Sequence, residues 1–214
     1  MAVLALVVAY VIYHRQHRIQ AAAEAFSAAA AAYLDGEQAE KPERFLKVAA
    51  DYPGTSAAGH ALLRAAGACF AEGKYADAQA HFERFVRTYR DSQLVGQALF
   101  GVAACLEAQG RTTEAIDRYK NLLERRPNDP VSRRARLNLG RLYEAQKQWD
   151  LARAQYQEAA RVSAYGAVGA EARNRLEALL SQHPELLAAT NAAISNATSA
   201  SLPISTGVVA TNSP

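Results

Sequence analysis

The residues that could do chemistry are few and scattered. His14 and His17 stand three apart, so a helix would present both imidazoles on one face, as a metal ion would need. No carboxylate or thiol joins them, and His60, His81 and His183 stand alone. Cys69 and Cys105 are the only two thiols, too few for a disulfide framework and silent on redox compartment. They read as small core residues; a bridge between them would require Cα atoms within about 7 Å. No glycine-rich phosphate loop and no nucleophile motif occurs. No catalytic residue, metal site or cofactor is expected, and the chain reads as a non-enzyme.

Charge offers one denser feature. Arg118, Lys120, Arg125, Arg126, Arg133, Arg134, Arg136 and Arg141 face only Glu124 and Asp129 within the same stretch. Such a region could meet anionic lipid head groups, an acidic partner or nucleic acid. It reads equally as solvated charge at helix ends, favourable where it meets a helix C-terminus. No series of stacking aromatics interleaves with it, and the net charge is only +3, so no nucleic-acid partner is expected.

The elements that carry these residues are helical. Half of the 214 residues are apolar, Ala is abundant, and the 12 Gly and 7 Pro are clustered. That composition predicts long helices broken by short turns. The N-terminal run "MAVLALVVAYVIY" is wholly apolar and is followed by "HRQHR". As a helix it would be about 20 Å long, whereas a bilayer core needs about 30 Å. It is too short to span alone. It also lacks the leading positive charge and small-residue cleavage site of a secretory signal. Two readings stand: the second half of a transmembrane anchor, or a buried or interfacial helix. Val, Leu and Ile on every face favour the anchor. The basic flank taken alone argues for a cytoplasmic C-terminal side, but that rule compares two flanks.

The middle of the chain repeats. Segments beginning at Ala61, Ala98 and Ala135 align without gaps at a period of 37 residues. Leu63, Phe100 and Leu137 fall in register, as do Ala78, Ala115 and Ala152, and Phe82, Tyr119 and Tyr156. Gly73 and Gly110 align at a turn where Lys147 takes the third place. Gly36, Phe45 and Tyr52 continue the register backwards, and Ala172 and Leu176 continue it forwards. A fixed period of this size marks a helical solenoid. In the first full unit, helix A spans about 61–72 and buries Leu62, Ala65, Ala66 and Cys69. Gly73 ends it. Helix B spans about 75–89 and turns Ala78, Phe82, Phe85 and Val86 inward. Ala78 lets the two backbones approach, and Phe82 fills the wedge between them.

This pattern resembles the tetratricopeptide repeat, a helix hairpin with a small pair in helix A, a Gly before an aromatic at the turn, an early Ala in helix B and an aromatic four residues later. Unit one supplies Ala65-Ala66, Gly73, Tyr75, Ala78 and Phe82; unit two Gly110, Ala115, Tyr119 and Pro127; unit three Leu139-Gly140, Tyr143, Trp149, Ala152 and Tyr156. Thr112, Lys147 and Arg90 depart from the pattern. The resemblance implies an all-α, right-handed superhelical solenoid of helix hairpins, here with a membrane-type N-terminal helix. The longer period is similar to that of bacterial envelope repeat proteins, including the BamD-like assembly lipoproteins. The layout resembles the YfgM-like ancillary subunit of the Sec translocon. That layout implies a single-pass location in a bacterial inner membrane with the repeats in the periplasm.

In this family helix A lines the concave face. The register places Leu63, Phe70, Phe100, Arg134, Leu137 and Arg141 there, with Leu63, Phe100 and Leu137 as an apolar strip that would suit a partner's extended or amphipathic segment. A terminal helix of the same chain would be the alternative cover. Of the positions where some members clamp a partner's terminal carboxylate, only Arg141 would serve, so that mode is not expected.

The expected organisation is a partial anchor and basic flank (1–19), an Ala-rich helix and degenerate repeat (20–60), three repeats (61–171), a capping helix (172–184) and a mostly disordered tail (185–214) with a helical extension to about Ala193. The expected function is a membrane-anchored adaptor that binds protein segments in its groove, at a secretion or envelope-assembly machine. The alternative is a self-associating module, a homo-oligomer whose basic patch docks on lipid or another acidic surface.

Overall fold

The computed structural model describes residues 2–34, 42–162 and 166–187. The elements are α1 (Ala2–Leu34), α2 (Pro42–Asp51), α3 (Ser56–Ala71), α4 (Tyr75–Thr88), α5 (Val95–Ala108), α6 (Thr112–Arg125), α7 (Ser132–Ala145), α8 (Trp149–Val162) and α9 (Ala167–Gln182). No strand occurs among the described residues. From α2 to α9 each helix packs on the next, so the chain stacks as antiparallel hairpins. The odd helices take the A position and the even ones the B position.

Two kinds of turn alternate, and both obey the 37-residue register. At the A-to-B turn the backbone must enter the left-handed region to reverse. Gly73 (φ +77°) and Gly110 (φ +74°) do so without a Cβ penalty, and Lys147 (φ +59°) is held there by the same hydrogen bonds. The amides of Lys74, Arg111 and Gln148 close these turns onto the carbonyls of Cys69, Leu106 and Tyr143 at 2.8–2.9 Å. At the B-to-A turn a short polar side chain accepts from a backbone amide near the start of the next helix, as the N-cap itself in Thr55 and as an i to i+2 turn bond in Ser92 and Asp129. Thr55 Oγ1 accepts from the Ala58 amide at 3.2 Å, Ser92 Oγ from Leu94 at 3.2 Å, and Asp129 Oδ1 from Val131 at 3.1 Å. Thr55, Ser92 and Asp129 stand 37 apart, so the turn polar groups follow the repeat register.

The core is one continuous cluster along the stack. Leu62, Ala65, Ala66, Cys69, Ala78, Phe82 and Phe85 are buried as expected, with Val86 half-buried. Cys69 and Cys105 are free thiols inside it. Burial pushes both thiols up, Cys105 to about 12, so neither is poised as a nucleophile. Three glycines leave no room for a Cβ: Gly96, pressed against the Asp129 carboxylate, and Gly101 and Gly140, each against an aromatic ring. A Cβ on Gly101 would lie 2.6 Å from the Phe82 ring, and one on Gly140 would lie 2.5 Å from Tyr156.

Both ends depart from the expected boundaries. α1 runs unbroken through residue 20. Its residues 3–20 are exposed, while Ala22 is buried and Ala25, Phe26, Ala29 and Ala30 pack on the core. Its second half therefore serves as helix A of the degenerate unit. No described helix is long and apolar enough to cross a membrane. α9 begins at Ala167, five residues before the expected capping helix. After it the chain turns back: Leu186 is buried, its carbonyl accepts from Arg153, and His183 stacks on Trp149 with ring centroids 4.2 Å apart. The expected tail beyond residue 187 lies outside the described residues.

Gly101→Ala and Gly140→Ala are each expected to lower stability by about 1–3 kcal/mol through overpacking against Phe82 and Tyr156. Gly67→Ala, whose Cβ meets nothing within 4 Å, is expected to be neutral or stabilising by up to about 1 kcal/mol. Lys147→Gly is expected to gain about 0.5–1 kcal/mol by relieving left-handed strain. Urea unfolding of the four variants followed by circular dichroism measures all of these shifts.

Candidate functional site

The inner face of the stack is built by α3, α5 and α7. A helix shows solvent only the residues its neighbours do not cover, and here the exposed row on α3 is His60, Arg64, Gly67 and Ala71. The expected apolar strip is not on that row. Leu63 and Leu137 are buried, 8% and 4% exposed, and Phe100 is half-buried. The reason is rotational: Leu63 lies one position round from Arg64 and turns into the wall between helices, beside Phe45 and Leu94. The groove above it is a cavity of about 550 Å³ lined also by His60, Arg64, Gly67 and Gln97. Its floor is apolar and its rim is basic and polar.

Phe100 and Arg134 do come together. The Arg134 guanidinium lies 5.8 Å from the centroid of the Phe100 ring, which packs at 5.6 Å on Tyr119. Arg134 and Arg141 are exposed on α7. Phe70 is half-buried against Tyr75 at 5.1 Å, close to the A-to-B turn and apart from the α3 cavity. The six expected residues therefore divide. Arg134 and Arg141 face solvent, Phe100 and Phe70 are part-covered, and Leu63 and Leu137 belong to the wall.

A polar ladder runs beside this face, and it was not legible from residue type alone. The Tyr119 hydroxyl donates to Glu107 Oε2 at 3.0 Å and accepts from Asn138 Nδ2 at 2.9 Å. One period on, the Tyr156 hydroxyl donates to Glu144, and Arg175 lies 3.8 Å from the same carboxylate. Glu107 and Glu144, Tyr119 and Tyr156, and Asn138 and Arg175 are each 37 apart. Unit one breaks the ladder coherently. Its ring is Phe82, its carboxylate position is Phe70, and the next A helix offers Gly101. The three substitutions occur together because a hydroxyl without partners, or partners without a hydroxyl, would be left buried and unpaired. Burial first, then the neighbouring carboxylate, pushes both phenols well above the usual tyrosine range. Among the described residues no cluster of His, Cys, Asp and Glu could hold a metal ion, and His14 and His17 lie tilted against Tyr10 and Tyr13 separately.

The basic region divides as well. Arg126 pairs with Asp129 at 3.9 Å, and Arg136 stands beside Glu124 and Glu158 on the outer face. Only Arg134 and Arg141 of that set lie on the inner face.

Stacked antiparallel hairpins, with small residues and one large ring between successive A helices, define a helical-repeat scaffold. Residues 60–92 and 94–164 match models of the tetratricopeptide repeat. No curated protein matches it in sequence. Among solved structures, a tetratricopeptide repeat protein from Parabacteroides merdae aligns with a TM-score of 0.61 at 17% identity, covering 84% of this chain and 68% of its own. PcrH from Pseudomonas aeruginosa aligns at 0.52 and 19% identity, over 58% of this chain and 93% of its own. PcrH in complex with the chaperone binding region of PopD aligns at 0.50 and 20% identity, over 56% and 90%. At these identities the likeness is one of fold.

Tyr119→Phe is expected to cost about 1–2 kcal/mol, because Glu107 and Asn138 lose a shared partner. A Tyr119→Phe/Asn138→Ala cycle is expected to show about 0.5–1.5 kcal/mol of coupling in urea unfolding. The phenols also fix a pH dependence. Each holds its proton more tightly folded than unfolded, so the stability they add is complete below the unfolded value of about 10 and falls as pH rises through it. In an alkaline absorbance titration two of the tyrosines are expected to ionise only as the fold is lost, and one fewer in Tyr119→Phe.

Proposed function

We propose that this protein is a non-enzymatic adaptor, tethered to a membrane by the apolar end of α1, that binds extended or helical segments of other proteins on the inner face of α3, α5 and α7. The observation that carries the reading is a groove that none of the described helices covers. Neither α1 nor α9 lies across it, because each takes an A position at its own end of the stack. The groove has an apolar floor of Phe45, Leu63 and Leu94, and the face bears the cations Arg64, Arg134 and Arg141. None of the three is within ion-pair distance of a carboxylate among the described residues. A partner segment that carries an apolar anchor flanked by acids fits that pattern. The PopD segment held by PcrH offers a precedent on a related fold.

The tether is supported by where exposed apolar bulk is concentrated. Val3, Leu4, Leu6, Val7, Val8, Tyr10, Val11, Ile12 and Tyr13 are all roughly half or more exposed. Isolated exposed side chains of this kind are ordinary, but a helix bare on every face is not. We place the repeats in the periplasm of a bacterial inner membrane, at a secretion or envelope-assembly machine, on the strength of the layout described above.

A photoreactive side chain at position 67, in the groove, tests the groove reading against the same group at position 84 on the outer face. Both positions are exposed. Discrete protein adducts are expected from position 67 only, and they are expected to weaken at least about fivefold in Arg134→Ala/Arg141→Ala, as loss of two charge contacts requires. Identical adducts from both positions, or none from position 67, would overturn it.

A further inference from the structure

The repeat register fixes which way α1 leaves the stack. α3, α5 and α7 begin at Ser56, Val95 and Ser132. Their equivalents in α1 are residues 19 to 21, so residues 2–18 project about 25 Å beyond the edge where every A helix starts. Contacts agree with the register. Phe26 of α1 meets His60 of α3 with ring centroids 6.0 Å apart, while Arg15, Arg18 and Ile19 share a cavity of about 630 Å³ with Pro53–Ser56 of the α2–α3 turn. The two helices therefore run the same way, and the bare apolar end of α1 emerges past the B-to-A turns.

That edge is basic. Arg90, Arg125, Arg126 and Arg133 lie at or beside its turns, and Arg15 and Arg18 stand where α1 crosses it. Its acids, Asp51, Asp91, Glu124 and Asp129, are fewer; Asp51 pairs with Lys47, and Asp129 is turned inward onto the Val131 amide, its side chain only 11% exposed. The opposite edge carries Glu72, Asp77, Glu114 and Asp150 against Lys74, Arg111 and Lys147. Helix-end preference explains Arg125 at the close of α6. It also covers Arg126, the C-cap of α6, and Arg90, whose Nε donates to the Arg87 carbonyl at the end of α4. It does not explain Arg133 at the start of α7, where the dipole disfavours a cation, or Arg15 and Arg18 in the middle of α1.

We propose that this edge is the surface that lies against an anionic phospholipid bilayer, with residues 2–13 in one leaflet. The cavity between α1 and Pro53–Ser56 then takes a lipid phosphate beside Arg15 and Arg18. The lengths agree. An apolar helix of about 18 Å crosses roughly one leaflet of a 30 Å hydrocarbon core. Tyr10 and Tyr13 sit at its interfacial end, where tyrosine is favoured, and the arginines follow at head-group level. The stack then stands on its turn edge, and the groove opens along the membrane plane. This inference rests on the tether reading above.

The test uses the full chain and sedimentation with vesicles of phosphatidylcholine alone or with a minority of phosphatidylglycerol. The wild type is expected to bind both, and the anionic vesicles at least about tenfold more tightly at low salt. Arg90→Glu/Arg125→Glu/Arg133→Glu is expected to remove that preference and keep the neutral binding. Lys74→Glu/Arg111→Glu/Lys147→Glu, an equal charge change at the other edge, is expected to keep most of it. Circular dichroism reports whether each variant folds; if the triple reversal does not, the three Arg→Gln changes make the same comparison at smaller amplitude. Equal binding of the wild type to both vesicles, or equal losses in the two triple variants, overturns the docked edge while leaving the tether intact. No binding to either vesicle overturns both readings.

Discussion

One ring per repeat, wedged between two A helices, sets the geometry on which the rest depends. Phe82 lies against Gly101 of the following unit, Tyr119 reaches Glu107 of its own unit and Asn138 of the next, and Tyr156 lies against Gly140 and reaches Glu144. Such a ring fits only where the B backbone comes close, and Ala78, Ala115 and Ala152 are accordingly 0% exposed. The ring's bulk fixes how far successive A helices stand apart. It thereby fixes the width of the groove above Leu63. Function on the inner face is thus downstream of packing behind it.

The period, the turns and the wedge were legible because each depends on residue type at fixed spacing. Gly73 and Gly110 need a left-handed backbone, and the apolar stripe of α3 buries the residues its periodicity picks out. The inner-face strip was not legible in the same way. Leu63 and Arg64 differ by one step, about 100° around the helix axis. Which of them faces solvent depends on how α3 is rotated between α2, α4 and the neighbouring A helices, a property of the stack and not of the segment. Residue type alone does not separate an exposed strip from a groove floor, and Leu63, expected on the strip, is part of the floor. The ladder was hidden for another reason. Tyr119 and Phe82 fill the same wedge, and only the coincident Glu107 and Asn138 against Phe70 and Gly101 separate a hydroxyl with a role from one without.

Repetition also converts local rules into global ones. The B helices α4, α6 and α8 each have an acid in the first turn, Asp77, Glu114 or Asp150, and an arginine in the last, Arg87, Arg125 or Arg161. In a single helix this is a modest complement to the dipole, worth about 0.3–1 kcal/mol per charge. In a stack every B helix points the same way, so the same preference gives one edge a surplus of acid and the other a surplus of base. An edge polarity of that origin requires no selection for binding. Charges the dipole does not favour, such as Arg133 at the head of α7, are therefore the ones that carry information about a partner.

A similar accounting bears on the inner face. Glu107 and Glu144 are its acids on α5 and α7, and each is engaged by a buried tyrosine hydroxyl, Glu144 by Arg175 as well. The scaffold thus takes up the negative charge of the face for its own cohesion. Arg64, Arg134 and Arg141 stay exposed, so the field that a passing segment meets is positive although the face is not rich in cations. The polar ladder behind the groove and the charge preference in front of it follow from the same tyrosines. In unit one, where Phe82 and Phe70 replace the ladder, no carboxylate is drawn in, and the cavity beside α3 has no acid in its lining.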